Sequence, residues 1–266
     1  MADSSLKYLY LESGSLKVPN QAHCQDFTHP CRRHKGYYQA NTRGWIIHKT
    51  DYCLSQAGQN NDEKKLVMWL SANAGMGKSV ITAILLDRYI QRDMLGAWHF
   101  CVHSNPSENT VLAIILSLSG MLEVTIPGYA EALHAQGDAV LQEAKSKADP
   151  MELFETFFLI PLSKINPPRD CDGKLKRMIV FLDALDEMIL KEMSGMLAIL
   201  RDGVPELPSF LLFFVTSRRN DNILSALSAK VRFAIELVVP INIIQSHKKK
   251  TIRFHSNRTL SKYLSL

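Results

Sequence analysis

From Arg43 onward the apolar residues of this chain follow two alternating rhythms. Short continuous apolar runs occupy Leu66–Leu70, Gly96–Cys101, Met178–Leu182, Phe210–Val215 and Val231–Val238, and they predict strands buried on both faces. Between them the spacing lengthens. Ile81, Ile84, Leu85 and Tyr89 share one face of a helix expected over Ser79–Gln91. Further helices are expected from Pro106 to about Leu122, from Pro127-Gly128 to about Lys147, over Met188–Leu200 and over Asn222–Leu227. Asp149-Pro150-Met151-Glu152 has the order of a helix start, with Asp149 as cap, proline in the first turn and Glu152 able to reach back. Asn166–Gly173, with two prolines and Asp172-Gly173, reads as a loop. Strands that alternate with helices imply a mostly parallel sheet covered on both faces, an α/β architecture.

The first 40 residues lack this regularity and read as an irregular extension. They hold His23, Cys24, His29, Cys31 and His34, but the Cys24–Cys31 gap is wider than a structural zinc knuckle, and no second ligand pair follows at finger spacing. The regular body spans 41–238, and 239–266 forms a basic C-terminal tail.

Charge changes this picture little. The formal net charge of the 266 residues is +5, but Lys248, Lys249, Lys250, Arg253, Arg258 and Lys262 all follow Val238, where no acid occurs. Residues 1–237 therefore carry 25 basic and 26 acidic side chains, which argues against nucleic acid as a partner of the body. Neither Val111–Leu122 nor Phe210–Val215 approaches the roughly 20 apolar residues of a membrane span. The N-terminus shows no signal-peptide pattern, and the five cysteines are scattered without a CxxC pair, so the expected location is cytoplasmic.

Three segments carry candidate chemistry. Ala72-Asn73-Ala74-Gly75-Met76-Gly77-Lys78-Ser79 joins an expected strand to an expected helix, the setting that a GxxxxGK[ST] phosphate-binding loop requires. Ala74, Gly75, Met76 and Gly77 would offer backbone amides to phosphate, Lys78 would reach the β- and γ-phosphate oxygens, and the Ser79 hydroxyl would bind Mg²⁺. Ala72 stands where the pattern has its first glycine, which adds one methyl at the strand's end. In Met178–Glu187 an apolar strand ends in Asp183, a candidate Mg²⁺ ligand, with Asp186 and Glu187 beyond it as candidates for orienting or deprotonating water. Alone this segment is weak, since acids often follow strands. Phe213–Arg219 delivers Thr216, Ser217, Arg218 and Arg219 to the same edge, and Arg218 is the candidate γ-phosphate sensor. His99 and His103 read as satisfied or edge histidines, and Met188, Met193 and Met196 as packing residues.

The segments LSANAGMGKS, VFLDALDE and FVTSR resemble the NACHT-type, nephrocystin-like branch of the STAND signal-transduction P-loop NTPases. Thr42–Ile46 and Ala97–His103 agree with that pattern. The resemblance implies a three-layer P-loop sandwich with a mostly parallel five-stranded sheet of order 5-1-4-3-2. It also implies Mg²⁺ with ATP in preference to GTP, slow hydrolysis, and a conformational switch acting through protein partners or self-association. Two other readings stand beside it: a free-standing P-loop ATPase or small-molecule kinase, and a truncated NACHT fragment without a working switch. The kinase reading needs an arginine-rich lid, and no such cluster lies between Asp186 and Arg218. The fragment reading rests on the loss of family pattern after Leu237.

Overall fold

A computed structural model describes residues 44–56, 67–227, 231–237 and 253–255. Its centre is a sheet with the order β2-β3-β4-β1-β5-β6, built from β1 (Val67–Ala72), β2 (Leu95–Phe100), β3 (Met178–Asp183), β4 (Leu211–Ser217), β5 (Val231–Leu237) and β6 (Arg253–His255). The neighbouring pairs from β2 to β5 are parallel, and the expected succession 1-4-3-2 is present. The expected count of five is corrected to six. β6 pairs antiparallel with β5, so β5 is not the edge strand that the order 5-1-4-3-2 implies. β6 was missed because Arg253-Phe254-His255 is too short to show a period and lies in the stretch read as a tail.

Every residue of β1, β2, β3 and β4 is buried, as continuous apolar runs require when helices cover both faces. The adjacent pair Phe213-Phe214 shows the two layers. Successive side chains of a strand point to opposite faces. Phe214 meets Phe181 at 5.2 Å between ring centres, and Phe181 meets Tyr89 of α2 (Lys78–Gln91) at 6.2 Å. Phe213 meets Phe158 on the other side at 6.4 Å, and Phe158 stacks on Phe154 at 5.0 Å. Burying each ring contributes about 1.5–3 kcal/mol.

Several helix boundaries differ from expectation for identifiable reasons. α1 (Gly44–Gln56) was not foreseen, because it has no acid in its first turn and no base in its last. Asp51 joins it to α2, accepting from Arg88 at 2.6 Å and from Tyr89 and Arg92 at 2.9 Å. Burial alone would raise the Asp51 carboxyl, but the bonds from Arg88 and Tyr89 outweigh it and hold it below its ordinary value. Pro106–Asn109 is a separate 3-10 turn, and α3 (Val111–Thr125) starts afresh under the Thr110 hydroxyl, which accepts from the Ala113 amide. Gly137, at φ 89°, divides the next expected helix into α4 (Tyr129–His134) and α5 (Asp138–Lys147). α6 (Pro150–Phe154) is capped by Asp149 as expected, through the Met151 and Glu152 amides. Glu152 does not complete the box. Its carboxylate takes Lys147 at 2.8 Å instead.

α6 continues through a π turn, Glu155–Leu159, into α7 (Ile160–Ser163). Pro161 has no N–H to offer the preceding turn, and a wide turn there relieves its ring. The Phe157 carbonyl instead accepts from the Tyr129 hydroxyl, and the Thr156 carbonyl accepts from Gln136 at 2.9 Å. The same device recurs after α8 (Leu190–Ala198), where the π turn Ile199–Gly203 precedes Pro205. α9 (Asp221–Leu227) follows β4. Met188, Met193 and Met196 are buried packing residues, as expected. The cluster from His23 to His34 and the Lys248–Lys250 run lie outside the described residues.

Two predictions follow from packing and burial. A Cβ on Gly203 would stand 2.7 Å from the ring of Phe154, so Gly203→Ala should lower unfolding free energy by about 1–3 kcal/mol in urea titration. An unchanged midpoint would contradict that contact. His99 is 2 % exposed on β2, and burial lowers its pKa from the ordinary 6.5 to about 4, against a hydrogen bond to the Glu108 backbone. The unfolded chain therefore binds the proton more readily between pH 6.5 and 4, and stability falls as pH drops through that window. Between pH 7 and 5 the loss attributable to His99 should be about 2 kcal/mol, and His99→Gln should remove that part of the pH dependence.

Candidate functional site

The candidate residues gather where the parallel strands end. β1 finishes at Ala72, and the chain turns through Asn73–Gly77 before α2 begins at Lys78. Gly75 and Gly77 have φ of 73° and 77°, a left-handed backbone that a side chain would strain. Asn73, Ala74 and Gly75 are exposed, and Met76 to Ser79 are half-buried. No side chain caps the N-terminus of α2, so its first-turn amides and the positive end of its dipole face the loop. Such a turn can receive an anion. Ala72, in the place of a glycine, is 2 % exposed, its methyl packed within the strand. Its carbonyl accepts from Lys78 Nζ at 2.9 Å, with the Asn73 carbonyl at 3.4 Å.

Lys78 is the electrostatic meeting point of the site. Burial lowers its pKa, opposed first by Asp186 and then by Asp183, while Arg218 adds to the lowering and Glu187 opposes it. These groups come from the start of α2, the end of β3 and the segments that follow β3 and β4, so the three sequence segments converge in space.

Asp183 closes β3 and is 2 % exposed. Its Oδ2 accepts from the Ser79 hydroxyl at 2.5 Å, and its Oδ1 accepts from Thr82 at 2.6 Å and Thr216 at 2.7 Å. A buried carboxylate needs such donors at its oxygens in place of water. The Ser79 hydroxyl and the Asp183 carboxylate are hard oxygen donors that could hold Mg²⁺, a cation that keeps several waters and needs one or two protein groups. Among the described residues, no three His, Cys, Asp or Glu cluster as a metal cage.

Beyond Asp183 the backbone passes through Ala184, at φ 58°, into the 3-10 turn Leu185–Glu187. Asp186 does not stand free to meet water. Its Oδ1 accepts from the Arg218 amide at 2.8 Å, and its Oδ2 pairs with Arg218 Nε at 3.0 Å. Glu187 Oε2 accepts from the His103 amide at 2.9 Å, which ties this turn to the end of β2. The end of β2 is fixed in turn by Asn109, whose amide side chain bonds both the amide and carbonyl of Val102. The Arg218 side chain is 56 % exposed, its backbone held by Asp186 on one side and by the Ser217 hydroxyl on the other.

Ala74, Gly75, Met76 and Gly77 of the loop thus lie beside Lys78 and Ser79 of the first turn of α2, Ser79 meets Asp183, and Arg218 meets Asp186. Glu187 reaches the His103 backbone rather than another candidate side chain. Sequence reasoning missed Thr82 and Thr216 as partners of Asp183. Thr82 lies three residues after Ser79, on the same face of α2, and that spacing was the available signal. Thr216 lay within a segment already singled out, but nothing in the pattern paired it with the acid on β3.

A family model described as Nephrocystin 3, N-terminal matches residues 41–218. No curated protein matches the chain. A solved structure described as EssC (ATPases 2 and 3), from Geobacillus thermodenitrificans, is similar over 65 % of this chain and 32 % of its own, at 14 % identity and a TM-score of 0.29. This chain spans about a third of that protein's length, and a likeness so slight has no bearing on the site. The matched segment holds every candidate residue from Ala74 to Arg218 and more than half of the 266 residues. The chain belongs to the nephrocystin 3 N-terminal family.

Proposed function

We propose that this domain is a NACHT-type nucleotide switch that binds Mg·ATP, hydrolyses it slowly, and acts through conformation on protein partners or on further copies of itself. One observation carries the reading: the Ser79 hydroxyl at the start of α2 stands 2.5 Å from the Asp183 carboxylate at the end of β3, beside a glycine loop and a half-buried lysine. Amides of Ala74 to Ser79 would surround the phosphates. Lys78, held on the Ala72 carbonyl, would exchange that partner for β- and γ-phosphate oxygens. Ser79 and Asp183 would hold Mg²⁺, which when bound supplies charge neutralisation of the phosphates.

The engagement of Asp186 with Arg218 divides the acidic roles. Asp186 orients Arg218 toward the place of a γ-phosphate, and Glu187 is the acid with an oxygen to offer water. An acid turned toward its own arginine fits slow hydrolysis. ATP rather than GTP follows from the family reading, and the same holds for the signalling role.

Isothermal titration of the whole chain with ATP and Mg²⁺ should show binding, weakened roughly 10- to 100-fold in Lys78→Ala by loss of a charge-assisted hydrogen bond. A folded chain with no affinity, or affinity indifferent to Lys78→Ala, removes the reading. Phosphate release should fall about 100-fold or more in Glu187→Gln, with ATP affinity retained. Equal loss in affinity and turnover would assign Glu187 to binding instead.

A further inference from the structure

The Thr216 hydroxyl makes two bonds of opposite sense, and each meets a different part of the site. It donates its one proton to Asp183 Oδ1 at 2.7 Å and accepts from the Ala184 amide at 2.9 Å. Thr216 and Asp183 are 0 % and 2 % exposed, so neither bond competes freely with water. Ala184 has a positive φ that a residue with a Cβ seldom adopts, and its amide bond to Thr216 holds it there. The turn that follows carries Asp186 and Glu187. Thr82, 1 % exposed, donates to the same Oδ1 at 2.6 Å, which leaves Oδ2 as the oxygen facing Ser79.

We propose that Thr216 is a positioning residue whose single hydroxyl sets both the Asp183 oxygen presented to the divalent cation and the left-handed backbone at Ala184 that leads into the turn carrying Asp186 and Glu187. Thr82 secures the first of these settings and has no part in the second. β4 thus registers Asp183, at the end of β3, against the acidic turn that follows it. The cation half of this inference rests on the Mg·ATP reading above. The turn half does not.

The test compares Thr216→Val, Thr216→Ser and Thr82→Val in the whole chain. Without nucleotide, exchange of the Ala184 amide is followed by hydrogen–deuterium mass spectrometry. Valine matches threonine in shape but accepts no proton, so Thr216→Val should speed that exchange about tenfold, the loss of one buried hydrogen bond. Thr216→Ser and Thr82→Val should leave it near wild type. In a second measurement, the ratio of ATP affinities in Mg²⁺ and in EDTA should fall about tenfold in Thr216→Val, fall in Thr82→Val and persist in Thr216→Ser. Unchanged Ala184 exchange in Thr216→Val overturns the proposal, as does a serine variant that behaves like valine. Thr216→Ala repeats the comparison should valine not fold. Failure of both to fold while Thr216→Ser folds would make the residue structural and also overturn it. A wild-type chain without Mg²⁺-dependent ATP affinity would remove the switch reading, while the Ala184 exchange still decides the turn.

Discussion

A carboxylate at 2 % exposure on the end of an apolar strand costs several kcal/mol unless donors meet its oxygens, and at Asp183 three hydroxyls do so. Those hydroxyls come from two different elements, α2 and β4. Meeting the charge therefore fixes the start of α2 against the ends of β3 and β4. The glycine loop inherits its place from that requirement, because it is the connection between β1 and the helix that Ser79 and Thr82 anchor. Fold and site share one constraint.

The parallel arrangement makes this possible. Strands that run the same way bring all their C-terminal ends to one edge, where the first residues after β1, β3 and β4 meet. Helices on both faces keep water from the strands below, as Phe213 and Phe214 show by pointing to opposite layers. The resulting edge is polar above an apolar floor. Its charges act on one another across that edge, as the opposing influences of Asp186, Asp183, Arg218 and Glu187 on Lys78 show.

Much of this was legible in the chain itself. Continuous apolar runs gave β1 to β5 within about two residues, because strands buried on both faces need no alternation to be recognised. The loop from Ala74 to Ser79 was legible because its glycines answer a backbone need that stays local. What stayed hidden depends on neighbours distant in the chain. Asp186 looked free for water, and only the fold brings the Arg218 amide and guanidinium to its two oxygens. α1 has no acid in its first turn and no base in its last, and its attachment is through Asp51 to residues on α2. The π turns before Pro161 and Pro205 follow from proline, but the partners of the released carbonyls, Tyr129 and Gln136, could not be read locally.

The backbone on either side of Arg218 bears on how quickly such a site responds. The Ser217 hydroxyl accepts from the indole N–H of Trp69 and donates to the Arg218 carbonyl, while Asp186 takes the Arg218 amide. With its main chain pinned at both ends, this arginine can answer a new negative charge only by rotating about its side-chain bonds. Rotations of exposed side chains take picoseconds to nanoseconds, whereas rearrangement of whole domains takes microseconds to milliseconds. Sensing by Arg218 would therefore be complete long before the molecule changes shape. Under the switch reading proposed above, any delay would lie in that slower rearrangement rather than in Arg218.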